Sequence, residues 1–206
     1  MNQKTIRLIL WPVIIILAWL VYRSPINLKE FQEESNSRKA AVVQNLKDIR
    51  SAQIAFKDKY RTYAGDFNTL LDFINNDSIA LIKAIGETPD SLSEEQALEM
   101  GIIKRDTVFV SAGQSIFNAE YLKTRDQRFP FDLNTLSKVP YSEGESFNIE
   151  SGDIEKGKVV VQVFEVSTTF GTFLKGIDAN NKGIDLDDII RVGSMSDASI
   201  NGNWGE

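Results

Sequence analysis

The stretch Asp178-Ala-Asn-Asn-Lys-Gly-Ile-Asp-Leu-Asp-Asp188 is where residue types and spacing come nearest to metal chemistry. Asp178, Asn180 and Gly183 match the first, third and sixth positions of an EF-hand calcium loop, which sets oxygen ligands at alternate positions around a glycine turn. Lys182 stands where the next ligand belongs and Ile189 where the bidentate Glu belongs, so that loop fails. Asp178, Asn180, Asp185, Asp187 and Asp188 could still gather around calcium in another geometry. The default expectation is a solvated acidic turn in which Asp185 caps a helix, with no cofactor.

Composition narrows the remaining chemistry. The chain has no His and no Cys, which removes the commonest general base, the commonest transition-metal ligands and the thiolate nucleophile. No phosphate-binding glycine loop appears, and no nucleophilic serine motif stands in a suitable setting. Carboxylates remain, and a hydrolase of the glycosidase kind needs two of them about 5 to 10 Å apart. Asp66 with Asp72, or Asp187 with Asp188, are the pairs to nominate, but nothing in the sequence brings either pair together. The expectation is therefore no enzyme and no catalytic residue, with a carboxylate-dependent periplasmic hydrolase as the alternative.

The elements that would position these groups begin with an apolar run, Leu8 to Tyr22, uncharged between Arg7 and Arg23. At about 1.5 Å per residue it makes roughly 22 Å of helix, short of a hydrocarbon core of about 30 Å. Ile6 can join it, Arg7 and Arg23 can snorkel, and Trp11, Trp19 and Tyr22 can anchor at the interfaces. This reads as a transmembrane helix in preference to a cleaved secretory signal, because the run ends Trp-Leu-Val-Tyr-Arg-Ser without small residues at a scissile end. Lys4 and Arg7 favour the amino terminus in the cytoplasm. The expected location is the inner (cytoplasmic) membrane, crossed once, with the C-terminal domain in the periplasm. A net charge of −6 suits a free domain rather than one lying on anionic lipid, and no nucleic-acid partner is expected.

After an expected break at Ser24-Pro25, apolar positions recur at Leu28, Phe31, Val42, Leu46, Ile49, Phe56 and Tyr60, in steps of three and four once Ser35, Arg38 and Gln53 are included. Leu46, Ile49, Phe56 and Tyr60 are the interaction residues of this seam. Two readings stand: an amphipathic helix laid on its own domain, and a homo-oligomeric coiled coil that the polar seam positions weaken. Lys39, Lys47, Asp48, Lys57 and Asp58 are assigned to the opposite, polar face. Asp66 is expected to cap a second helix from Phe67, a loop with Gly86 and Pro89 to follow, and Ser93-Glu-Glu-Gln96 to form a capping box closed by Gly101. Thr107–Val110, Ser146–Ile149 and Lys158–Val166 read as strands, the last two as a hairpin around Glu155-Lys-Gly157. Helical turns are expected at Phe170–Lys175 and Asp185–Ile190. The tail, Ser196 to Glu206, is expected to be loose or to dock through Trp204 alone.

From Arg38 to Tyr63 the chain resembles the soluble half of the first helix of type IV pilins and type II secretion pseudopilins, including the aromatic and basic turn Tyr60-Arg-Thr-Tyr63 and the paired leucines Leu70 and Leu71 of the next helix. The resemblance implies an α+β fold, with an N-terminal transmembrane helix and a long amphipathic helix packed on a small antiparallel sheet. Its domains would be an anchor at 1–25, a pilin-like domain at 26–195 and a polar tail at 196–206. It implies protein partners in an envelope complex and a membrane-anchored assembly or scaffold subunit. Ile6-Arg-Leu-Ile-Leu10 lacks the Gly and the buried Glu of prepilin signatures, so peptidase processing and filament assembly through that Glu are not expected. The whole chain is also similar to a group of Bacteroidota single-pass membrane proteins, through Asp48-Ile-Arg-Ser-Ala-Gln53, Ile103-Lys-Arg-Asp-Thr-Val108, Val163-Phe-Glu-Val166 and Asn201-Gly-Asn-Trp204. That similarity implies no activity.

Overall fold

Everything in this fold is hung on one long helix. The computed structural model describes residues 3–86, 93–179 and 182–205. α1 spans Gln3–Tyr60 without the break expected at Ser24-Pro25. Pro25 removes one N–H from the ladder, and one missing bond in a helix of 58 residues is bridged by the turns on either side. α1 therefore crosses the expected boundary between residues 25 and 26.

From Phe31 onward α1 buries one side: Phe31, Ser35, Val42, Leu46, Ile49, Gln53 and Phe56 follow one another in steps of three, four and seven. The polar members of this seam are braces within the chain. Gln53 clamps the backbone of Ala64, donating through Nε2 to its carbonyl at 2.8 Å and accepting from its N–H at 2.9 Å. Arg38 Nη1 donates to the carbonyls of Phe173 and Lys175 at 3.2 and 2.9 Å. A seam that spends its polar positions on its own backbone belongs to a domain core rather than a zipper.

α2, Phe67–Asn76, starts where Asp66 accepts the Thr69 N–H at 2.9 Å, and it buries Leu70, Phe73 and Ile74 against α1. The stretch expected as a loop then forms β1, Ser78–Ile85. Gly86 ends it at φ 121°, while Pro89 lies outside the described residues. α3, Glu94–Glu99, carries the expected capping box between Ser93 and Gln96. β2, Lys104–Ser111, pairs antiparallel with β1 along its whole length. α4, Ala112–Ile116, and α5, Ala119–Thr124, return the chain to α1.

A second sheet has the order β3-β4-β5, so the fold is α+β with two small antiparallel sheets instead of one. β3 is Asn148–Lys156 and β4 is Val159–Thr169. Glu155 and Lys156 belong to the ladder, which moves the turn from its expected place to Gly157 and Lys158, at φ 59° and 69°. Two consecutive positive φ values give the tight turn whose twist matches the strands it joins. α6, Phe170–Phe173, falls within the expected helical turn. The second expected turn is corrected: residues 185–188 make a non-helical turn and Ile189–Gly193 is β5, paired with the end of β4. The run Ile-Ile-Arg-Val is rich in β-branched residues and buries alternate ones, Ile190 and Val192, which overrides the helix start suggested by the aspartates.

The tail docks by backbone as well as by its ring. Gly193 N–H donates to the Asn201 carbonyl at 3.1 Å, and Asn203 exchanges three bonds with Ile189 and Arg191. The Trp204 ring folds so closely over Gly202 that a Cβ there would lie 2.3 Å from it. Leu46, Ile49 and Phe56 meet Phe73, Phe164, Val166, Phe173 and Ile190 in one core joining α1, α2 and the three-stranded sheet.

Candidate interaction site

The last turn of α1 positions a surface groove. Lys59 and Tyr60 both donate to the carboxylate of Asp77, the residue between α2 and β1, and Lys59 also donates to the Ser78 carbonyl at 2.8 Å. These donors hold the Asp77 carboxyl down to about 2. The same bond raises the Tyr60 hydroxyl above its ordinary value. The knot fixes the start of β1 beside α1. Between them opens a cavity of about 630 Å³, with Ile54, Ala55 and Asp58 on α1, Ile79 and Ala80 on β1, Phe109 on β2 and Ile116 on α4. Phe109 is 71% exposed. The Ser51 hydroxyl at the edge donates to the Lys47 carbonyl at 3.1 Å, one turn back. The groove offers apolar surface with a charged rim at Asp58 and Lys59.

Behind the groove lies a buried polar network that sequence reasoning misassigned. Asp48, placed on the polar face, is wholly buried. Arg125 grips it with Nε at 3.0 and 3.1 Å and Nη2 at 2.8 Å. Tyr121 Oη donates to it at 2.8 Å and Gln44 Nε2 at 3.1 Å. The Gln44 oxygen accepts the Asp126 N–H, and Arg125 Nη1 reaches the Phe129 carbonyl at 2.9 Å. Burial pushes the Tyr121 hydroxyl well above its ordinary range. One signal was available: Asp48 sits seven residues from Ala41 and four from both Gln44 and Ala52, all on one helical line, and Tyr121 and Arg125 share the same four-residue spacing. A charge on a line that carries two alanines and an amide marks a site that a second segment covers.

The other nominated residues fall apart in space or into local structure. Leu46, Ile49 and Phe56 are core residues, which leaves them no surface for a partner in the folded chain; Tyr60 is 47% exposed and tied to Asp77. Asp66 is spent on Thr69 and Asp72 accepts from Asn76 at 2.7 Å. In the acidic turn, Asp185 accepts the Asp187 N–H at 3.0 Å and caps no helix. Lys182, at the failed ligand position, lies over the Phe31 ring at 5.5 Å. Asn180 lies outside the described residues, and among those described no three acidic side chains come together as a metal would require.

Among the described residues no helix is long and apolar enough to cross a membrane. What the structure does describe there is Leu10 to Trp19, ten consecutive residues of α1, all exposed. The side chains of Leu8, Ile9 and Leu20 to Tyr22, which the expected span also needs, lie outside the described set.

Compared with known proteins, the chain matches no family model, no curated protein and no solved structure.

Proposed function

We propose that this chain is a membrane-anchored, non-enzymatic assembly or scaffold subunit of an envelope machine of the pilus or secretion kind. The residues Leu8 to Tyr22 hold it in the cytoplasmic membrane, and the α+β domain stands outside. One observation carries the reading. Leu10 to Trp19 amount to nearly three turns of α1 that are apolar on every side, with Trp11 66% and Ile15 61% exposed. A helix apolar all round is covered by protein or by lipid, and a soluble chain rarely leaves such a patch bare. The same helix continues unbroken into the domain core, so whatever holds its start holds the domain at a fixed distance.

The pilin-like part of the proposal is supported by the long helix lying against an antiparallel sheet. It is also supported by the continuity of α1 through Pro25, which removes one departure from a pilin stalk. Contacts, not chemistry, are the domain's work in this reading: the groove beside β1 is lined mainly by apolar residues, Asp66 caps α2 and Asp72 accepts from Asn76.

Orientation is tested by fusing alkaline phosphatase after Glu206. The reading expects an active fusion, because the enzyme matures only outside the cytoplasm. An inactive fusion at full expression places the domain on the other side.

A further inference from the structure

We propose that the outer edge of β1, with the groove beside it, accepts an extended segment of a partner protein as a third strand. In an antiparallel pair each residue directs its N–H and C=O together, alternately toward the neighbouring strand and away from it. Ser78 establishes the phase. Its N–H donates to the Asp77 carboxylate and its carbonyl accepts from Lys59, neither of which belongs to β2. By the same alternation Ala80, Ile82 and Ala84 point their main-chain groups away from β2, and Ala80 lines the groove. Among the described residues nothing bonds Ala80 on that side.

Among the described residues the edge is closed at Ser78 and open at Ala80. A pair of strands is marginal by itself and a third stabilises it, and an open edge is a template for pairing. Free main-chain donors and acceptors in a row complement another extended backbone; a helix has already used its own, and a lipid chain has none. The far wall of the groove is α1, at Ile54 and Ala55. The occupant is a lone segment of another protein, and pairing with a second copy of this chain is one of the outcomes that the test separates. Asp58 stands on the same wall and is exposed, and among the described residues it has no ion pair or side-chain bond. The segment therefore carries apolar side chains at alternate positions, against Ile54 and Phe109, and a Lys or Arg opposite Asp58.

This names the partner chemistry of the proposed assembly role and rests on its statement that the domain works by contacts. It does not depend on the anchor. The test uses the full chain in detergent micelles and, as probe, the synthetic peptide acetyl-Thr-Val-Lys-Val-Thr-Val-Thr-amide. Binding below 1 mM is expected, with hydrogen exchange at the Ala80 amide slowed at least tenfold. Methylating the peptide nitrogens on one edge, and separately on the other, loses at least tenfold in affinity for one of the two forms. Ala80→Pro, which removes an outward N–H and leaves the β1–β2 ladder in place, loses as much. Asp58→Lys weakens binding several-fold. No binding at 1 mM, an unprotected Ala80, or equal affinity of both methylated peptides overturns the proposal, the last by showing a groove that reads only apolar surface. Protection of Ala80 by self-association without peptide puts a second copy there and overturns it too. None of these outcomes bears on the phosphatase fusion, so the two proposals fail separately.

Discussion

Changing Arg125 to Met is expected to lower the stability of the folded chain by about 3 to 5 kcal/mol, the cost of leaving a buried charge without its partner. The pair is buried on both sides, with the Asp48 side chain 1% and the Arg125 side chain 5% exposed. Losing the guanidinium leaves the carboxylate two donors, Tyr121 and Gln44, and removes its ion-pair partner among the described residues. It also frees the Phe129 carbonyl and the Phe131 ring, over which the guanidinium lies at 5.3 Å. Asp48→Asn has a loss of the same kind. The double variant loses less than the sum of the two, because the second change removes a charge that the first has already orphaned. Chemical unfolding of the four proteins in one detergent reads this directly. Single losses within about 1 kcal/mol would mean that the pair is hydrated like a surface bridge.

Phe56→Ala is expected to cost about 3 to 5 kcal/mol, as removal of a buried aromatic ring leaves a cavity that neighbours fill only in part. Phe56 is wedged between Tyr60, at 4.7 Å between ring centroids, and Phe73, at 5.2 Å and nearly perpendicular. Both neighbours are in the same chain. Sedimentation of the folded fraction should therefore be unchanged by the substitution. A coiled-coil stalk would respond by dissociating while its domain kept its stability, and that pattern would contradict the packing described here.

The elements legible in the sequence were those set by local chemistry. The seam of α1 showed in its three-and-four spacing, α2 in Asp66, α3 in its capping box, and the β3–β4 hairpin in the run of β-branched residues. What stayed hidden depended on distant partners. β1 is apolar at intervals that fit a helix or a strand, and its pairing with β2 across a long connection decides. β5 was masked by aspartates that mimic a helix start. Asp48 reads as solvent-facing until Arg125, 77 residues away, arrives to cover it. The groove was likewise beyond reach, since it exists only where α1, β1, β2 and α4 meet. The seam residues Leu46, Ile49 and Phe56 were found for the right periodicity and serve the core.

Extraction of membranes at strongly alkaline pH, followed by the intact mass of the retained chain, tests the central claim most directly. Alkaline washing strips peripheral proteins and leaves spanning helices in the bilayer. The account predicts that the chain stays with the membrane pellet at the mass of the whole sequence, beginning at or next to Met1. Release into the wash, or a mass that places the amino terminus near Ser24, would show that Leu8 to Tyr22 is not an anchor.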